Sequence, residues 1–311
     1  MRAPDKLVER VLLLLALSSV GILASITFFI LREGAPLVYE VGFANFFSGD
    51  WHPTGGRYGI ALMIVGSAVV TLGALVLGVP FGIACAIVLG EMAPVRVRQI
   101  LKPAIEILAG IPSVVYGFMG IVVVLPLIRQ YLGGPGASGL AASVILGVMI
   151  LPTIIAISLD ALQAVPRYYR EGSLAMGATE WQTIWRVVLP GARSGIVAAV
   201  ILGMGRAIGE TMAVVMVAGN AVQLPDSPLD PVRTLTANLA LEMGYAAGDH
   251  RSALFATGIV LFLVIVVLNA VAGLARIRRH KPRVRQLRAA VTSAKLANPP
   301  DGSASQSPGA S

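Results

Sequence analysis

Arg206 and Glu210 stand four residues apart inside an apolar run, residues 194–218. At that spacing two side chains share one face of a helix. Placing an arginine at the centre of a membrane helix costs roughly 2.5–3.5 kcal/mol on insertion scales. Ionisable groups inside such helices therefore mark a solute or ion path by default. The chemistry on offer is anion handling. A guanidinium keeps its proton and presents paired donors in a planar fork, which suits a tetrahedral oxyanion. A carboxylate beside it would hold the fork and partly neutralise it, so that the ion is passed along and not trapped. Counted from Ser194, Arg206 lies about 18 Å along the run at 1.5 Å per residue, near the middle of a bilayer. Glycines at 203, 205 and 209 keep the adjoining surface low, leaving room for a neighbouring helix or for water. The competing reading is a purely structural ion pair, since charges within a membrane pair with each other in any case.

Immediately before this run lies a connection, residues 161–193, too polar for lipid and far longer than a tight turn needs. Its stretch 171–178 favours helix, and Gly172, Ser173, Ala175, Gly177 and Ala178 let another surface come close. A second helical piece, 180–188, places Trp181, Ile184, Trp185 and Val188 on one apolar face, and Leu189-Pro190 ends it. Two short helices lying across the direction of the spans fit a groove on a soluble partner. They fit an amphipathic segment resting on the bilayer equally well. The residues alone leave both open.

The rest of the chain is membrane protein. Of 311 residues 56% are hydrophobic and 13% charged, against about 25% charged in globular domains. Spanning takes about 20 apolar residues, and six runs qualify: 7–31, 58–89, 104–128, 139–159, 194–218 and 253–274. The first exceeds a signal-peptide core of about 7–15 residues, so it reads as a retained span. The net charge of +8 sits beside the apolar runs and does not form a nucleic-acid face. With the N-terminus inside, 18 of the 24 lysines and arginines fall on the cytoplasmic side and five outside, which sets an N-in, C-in topology. The expected divisions are 1–57 (first span and outer segment), 58–275 (a core of five spans) and 276–311 (a basic tail, then a disordered one).

Several features read more plainly. Phe43, Phe46, Phe47 and Trp51 suit anchoring at the headgroup level. Pro112 and Pro152 are expected to bend their helices, and Glu106 to cap the third span or pair with Lys102. The outer loop 221–251 is either a partner contact or a simple connector. The basic residues after Leu274 face anionic lipid headgroups. Cys85 is the only cysteine and the three histidines are far apart, so neither a disulfide nor a metal centre is expected. No G-x-x-x-x-G-K-[ST] and no H-E-x-x-H occurs, so energy must come from a partner or a gradient.

Glu171-Gly172-Ser173, then Gly177 and Val187-Val188-Leu189-Pro190, resemble the E-A-A-x(3)-G-x(9)-I-x-L-P loop of ABC importer permeases. Gly172, Ser173 and Val187 depart from the commonest letters but stay small or aliphatic. Trp51-His52-Pro53, the stretch from Gly110-Ile111-Pro112 to Tyr116-Gly117, and Arg206-Ala207-Ile208-Gly209-Glu210-Thr211-Met212-Ala213 resemble the phosphate-specific branch, its PstC type more than its PstA type. The resemblance covers about residues 40–275. It implies an all-α permease fold of six spans in a bacterial inner membrane, with cytoplasmic coupling helices. Glu171, Gly172, Ser173, Gly177, Leu189 and Pro190 would contact an ATPase, and Arg206, Glu210 and Thr211 would line the path of inorganic phosphate. The implied partners are a PstA-like permease, a PstB-like ATPase dimer and a PstS-like periplasmic binding protein. This chain would hold no cofactor, with ATP and Mg in the ATPase. A permease for sulfate or molybdate, and a gradient-driven anion channel, are the alternatives.

Overall fold

A computed structural model describes residues 3–277, and the side chains of residues 8–270. Met1–Asn269 form one compact unit. Of the second, Ala270–Ser311, only the backbone to Ile277 is described. The basic stretch from residue 278 and the polar stretch 298–303 thus lie outside the described residues. Among the described residues six helices are long and apolar enough to cross a membrane. They answer to the six runs expected; the first runs on to Val41, and two further changes of limits bear on the site.

The first change concerns the third span. Helix α4 (Val95–Ala109) stops at Gly110, and the span itself is Ser113–Tyr131. It is built from α5 (Ser113–Met119), a wide π turn (Gly120–Val124) and α6 (Leu125–Tyr131). Proline disfavours a helical conformation in the residue before it, and Pro112 stands with φ −57° and ψ 137° as the cap of α5. It starts a helix and does not bend one. Helix α4 is amphipathic and separate, so Glu106 is not part of the span. Nor is Lys102 drawn to it alone, for its Nζ donates to Asp160 Oδ1 at 2.7 Å.

The second change lies in the fifth span. Helix α9 (Glu180–Thr183), a π turn (Ile184–Val188) and α10 (Leu189–Gly209) run on as one 30-residue helix, Glu180–Gly209. Leu189-Pro190 therefore does not end the coupling segment. Proline has no N–H to give and crowds the carbonyl four residues back; a wide turn just before it relieves both. Ile184 and Val188 are buried beneath this turn, whereas Trp181 and Trp185 remain exposed, so the expected single apolar face is divided.

The centre of the unit is α7 (Gly139–Gln163), the most buried of the six spans. It holds Pro152 within an unbroken helix. Helix α3 (Ala61–Ile87, closed by a π turn at Val88–Met92) lies against one side. A Cβ added at Gly82 would come within 2.7 Å of Ile154, so glycine is what lets α3 approach α7. Around α7 are two apolar cores. One joins Val70, Leu146, Ile150, Val214 and Val217; the other joins Ile87, Leu159, Leu162, Ile184 and Val188. By contrast α1 (Ala3–Val41) leaves Leu12, Val20 and Phe28 exposed, as a lipid-facing helix does.

A third core ties down the outer segment. Phe46 and Trp51 are 1% and 6% exposed, among Leu37, Tyr58, Leu235 and Leu254. They are core residues and not headgroup anchors; only Phe43 and Phe47 are exposed. The short helix α2 (Phe43–Phe46) leads into a hairpin of β1 (Trp51–His52) and β2 (Arg57–Tyr58). What draws the tryptophan in is a carboxylate. Trp51 Nε1 donates to both oxygens of Glu242, at 3.0 and 3.2 Å, and a buried indole N–H needs such a partner. Glu242 also accepts from Arg233 at 2.7 Å and pairs with His250 at 2.8 Å. It ends α12 (Leu235–Glu242), so the loop 221–251 is a packed element and not a plain connector. Helix α13 (Asp249–Ile277) completes the spans.

Candidate functional site

The helix carrying Arg206 breaks just after it. Glu210 has extended backbone angles, φ −70° and ψ 132°, and the chain resumes as α11 (Met212–Val217). Arg206 and Glu210 thus do not share a helical face, and no ion pair joins them. Instead Glu210 Oε1 accepts from the Ala213 amide at 3.2 Å, serving the open start of α11. Its own carbonyl accepts from Thr236 Oγ1 at 2.8 Å, tying the break to α12. Thr211 sits in the break, its hydroxyl donating to the Gly209 carbonyl at 3.3 Å.

Arg206 occupies the last turn of α10, where the exposed carbonyls of a helix end favour a cation. It is half-buried. One arm of the fork donates to Thr153 Oγ1 on α7 at 3.3 Å, the other to the Ala109 carbonyl at the end of α4 at 3.1 Å. The two helix breaks, at 110–112 and 210–211, are therefore bridged by one guanidinium. Beyond them α5 and α11 pack together, with Gly117 facing Ala213 and Met216. A guanidinium has about five N–H donors, so these two contacts leave capacity for an anion. A Cβ added at Gly205 or Gly209 would meet nothing within 4 Å, so the surface of α10 at these two glycines is uncovered in this chain.

The residues expected to contact an ATPase gather elsewhere. Helix α8 (Arg167–Ala175) carries Glu171 and Gly172 exposed and Ser173 half-buried, its hydroxyl 2.9 Å from that of Thr183. It ends in a left-handed turn at Gly177, φ +85°. There the Gly177 amide donates to the Leu174 carbonyl at 2.9 Å and the Ala178 amide to that of Ser173 at 3.2 Å. This is the paired closure that glycine permits at a helix end. Gly172 is different: a Cβ there would meet nothing within 4 Å in this chain. Thr179 and Gln182 then form a reciprocal cap that restarts the helix. Leu189 packs into the core beside Val188, and Pro190 is exposed.

Four side chains matter that the sequence did not single out. Thr153 holds Arg206, and Glu242 binds the outer elements. Glu91, in the π turn after α3, takes both oxygens to Arg170 of α8, at 2.7 and 3.0 Å. Glu91 and Arg170 are 79 residues apart, beyond any local pattern. Outside the spans, Lys102 is raised above its ordinary value, chiefly by its hydrogen bond to Asp160. Tyr58 is raised as well, by burial first and by Asp249 second. Among the described residues no group of histidine, cysteine and carboxylate side chains is placed to hold a metal.

Comparison with known proteins gives the arrangement a family. Residues 78–281 match the binding-protein-dependent transport system inner membrane component. A probable ABC transporter permease protein, YqgH of Bacillus subtilis (strain 168), is 45% identical over 229 residues, 71% of this chain and 74% of its own. The phosphate transport system permease protein PstC of Pasteurella multocida (strain Pm70) is 36% identical over 265 residues, 79% of this chain and 83% of its own. Among solved structures, a bacterial ABC transporter involved in the import of the acidic polysaccharide alginate superposes with a TM-score of 0.57 at 17% identity, covering 90% of this chain and all of that one. The inward-facing MetNI methionine ABC transporter gives 0.55 at 21% identity, over 70% and 96%. At such identities the likeness speaks for the fold. Six spans, the relatives and the matched family model agree: the chain belongs to the inner membrane permease components of binding-protein-dependent ABC transport systems.

Proposed function

We propose that the chain is a transmembrane subunit of an ATP-driven importer of inorganic phosphate. It lines the translocation path with a second, PstA-like permease. A periplasmic binding protein of the PstS type delivers the anion, and two copies of a PstB-like ATPase, holding ATP and Mg, engage helix α8 and the turn at Gly177. Both termini lie in the cytoplasm. The observation that carries the reading is the Arg206 fork, held at the meeting of two helix breaks with donors to spare. Phosphate offers several acceptor oxygens to such a fork. The relatives named as phosphate permeases support the choice of ion.

The ATPase reading has support of its own. Met176 is 90% exposed, and Trp181 and Trp185 stand exposed beside it, stacked edge to face with centroids 5.7 Å apart. Gly172 meets nothing in its own chain, which suits a surface pressed close by another subunit.

Proteoliposomes test the reading. The complete assembly is expected to take up labelled phosphate only with ATP and binding protein present, with sulfate and molybdate competing poorly. Flux through this chain alone without ATP would establish a gradient-driven channel instead. Equal competition by sulfate or molybdate would move the substrate to another oxyanion.

A further inference from the structure

Helix α8 contributes no buried side chain, so apolar packing does not anchor it. Ser173 touches Thr183 of the fifth span, and the ionic tie of α8 to the spans is Arg170. That guanidinium donates to Glu91 twice, to the Val165 carbonyl at 2.6 Å and to the Leu162 carbonyl at 2.9 Å. The Glu91 and Arg170 side chains are 9% and 20% exposed. Withdrawing two charges from water is costly unless geometry and further hydrogen bonds compensate, and here both partners are held by a paired, forked contact. The contact is directional in a way that an apolar one is not.

Glu91 belongs to the π turn Val88–Met92, and that turn is held from a second direction. Arg98, in the first turn of α4, donates to the Leu89 carbonyl at 2.7 Å and to the Gly90 carbonyl at 2.5 Å. Two arginines thus lock α8, the end of α3 and the start of α4 at one junction. From there α4 runs 15 residues, about 22 Å. It continues through Pro103, braced alongside by Lys102 on Asp160 of α7. At its far end is the Ala109 carbonyl that engages Arg206.

We infer that Glu91 is a positioning residue that passes displacement of α8 to α4, and so moves the Ala109 carbonyl on and off the Arg206 fork. With the carbonyl engaged, Arg206 is partly satisfied by its own chain; with it withdrawn, the fork is free for the anion. The Glu91–Arg170 contact makes the exchange depend on the nucleotide cycle felt by α8. The inference rests on the proposed function, since it takes α8 as the ATPase contact.

The test uses the whole transporter in proteoliposomes and reads phosphate moved per ATP hydrolysed. Glu91→Gln keeps the shape but loses the charge, and the ratio is expected to fall at least tenfold while ATP hydrolysis persists. Glu91→Asp keeps the charge on a shorter stem and is expected to restore the ratio in part. The ratio does not depend on how much complex forms. Should Glu91→Gln yield no complex, the aspartate variant is read in the same way, with a ratio below wild type supporting the relay. A ratio equal to wild type in the variants would overturn it, as would uptake and hydrolysis falling in proportion. Wild-type complex with no ATP-dependent uptake would overturn the proposed function itself, a separate result.

Discussion

At the scale of single residues, charge spacing misleads about the partner of Arg206. A spacing of four turns Glu210 to the fork only where one helix runs through residue 210. The chain breaks there, and the carboxylate turns to the Ala213 amide instead. Arg206 is held by Thr153 and by a main-chain carbonyl, neither of which hydropathy or charge reveals. Lysine, a point charge on a flexible stem, cannot make both contacts with a planar fork. Arg206→Lys is accordingly expected to lower phosphate uptake at least tenfold with assembly unchanged; uptake within twofold of wild type would show that charge alone suffices. Glu242 offers a stability test. Removing it leaves Arg233, His250 and the Trp51 indole without their shared acceptor. Breaking a buried pair in this way costs about 3–5 kcal/mol. Glu242→Ala should therefore melt well below wild type in detergent, and an unchanged melting temperature would remove the hub from the account.

At the scale of elements, the spans were legible and their interruptions were not. Hydropathy is local, so six apolar runs survive from sequence to structure. Pro112 and Pro152 look alike in sequence. Yet Pro112 caps a new helix after a break, while Pro152 sits inside α7, the helix most enclosed by its neighbours. Surrounding helices decide which prolines are tolerated, and a single run of sequence does not contain them. The π turn before Pro190 hid in the same way, which is why a coupling segment expected to stop at Leu189-Pro190 continues into the membrane. The turn at Gly177 was half-visible. The resemblance marked the glycine, and the φ of +85° supplies the reason. A left-handed conformation costs other residues about 1–2 kcal/mol. Gly177→Val should loosen the turn, seen as faster amide exchange across residues 171–183; exchange as slow as in wild type would mean that another conformation serves. In the membrane, Gly82→Leu would push α3 off Ile154. Overpacking of this kind costs about 1–3 kcal/mol, measurable as a lowered melting temperature, and an unchanged one would place slack between α3 and α7.

At the scale of the whole molecule, the chain reads as one part of an assembly. Its outer elements are closed upon Glu242, while exposed apolar surface remains on α1, on the spans and around the α8–α9 turn, and also along α4 and at Phe43, Phe47, Leu224 and Tyr245 of the outer segments. The first two suit lipid or a second permease, and the third suits a soluble subunit. Glu91–Arg170 and Arg98 join that turn to α4, and α4 ends at Arg206. Long-range pairs of this kind are what sequence reading lacked, because nothing local marks Glu91 as the partner of a residue in another loop. The central claim is that an anion crosses by way of the Arg206 fork. It is tested most directly by ATP-driven uptake of labelled phosphate into proteoliposomes holding the assembled transporter with Arg206→Gln. The account predicts no uptake above background while the ATPase still co-purifies with the permeases. Uptake at the wild-type rate would contradict it and leave Arg206 a structural tie between α10, α7 and α4.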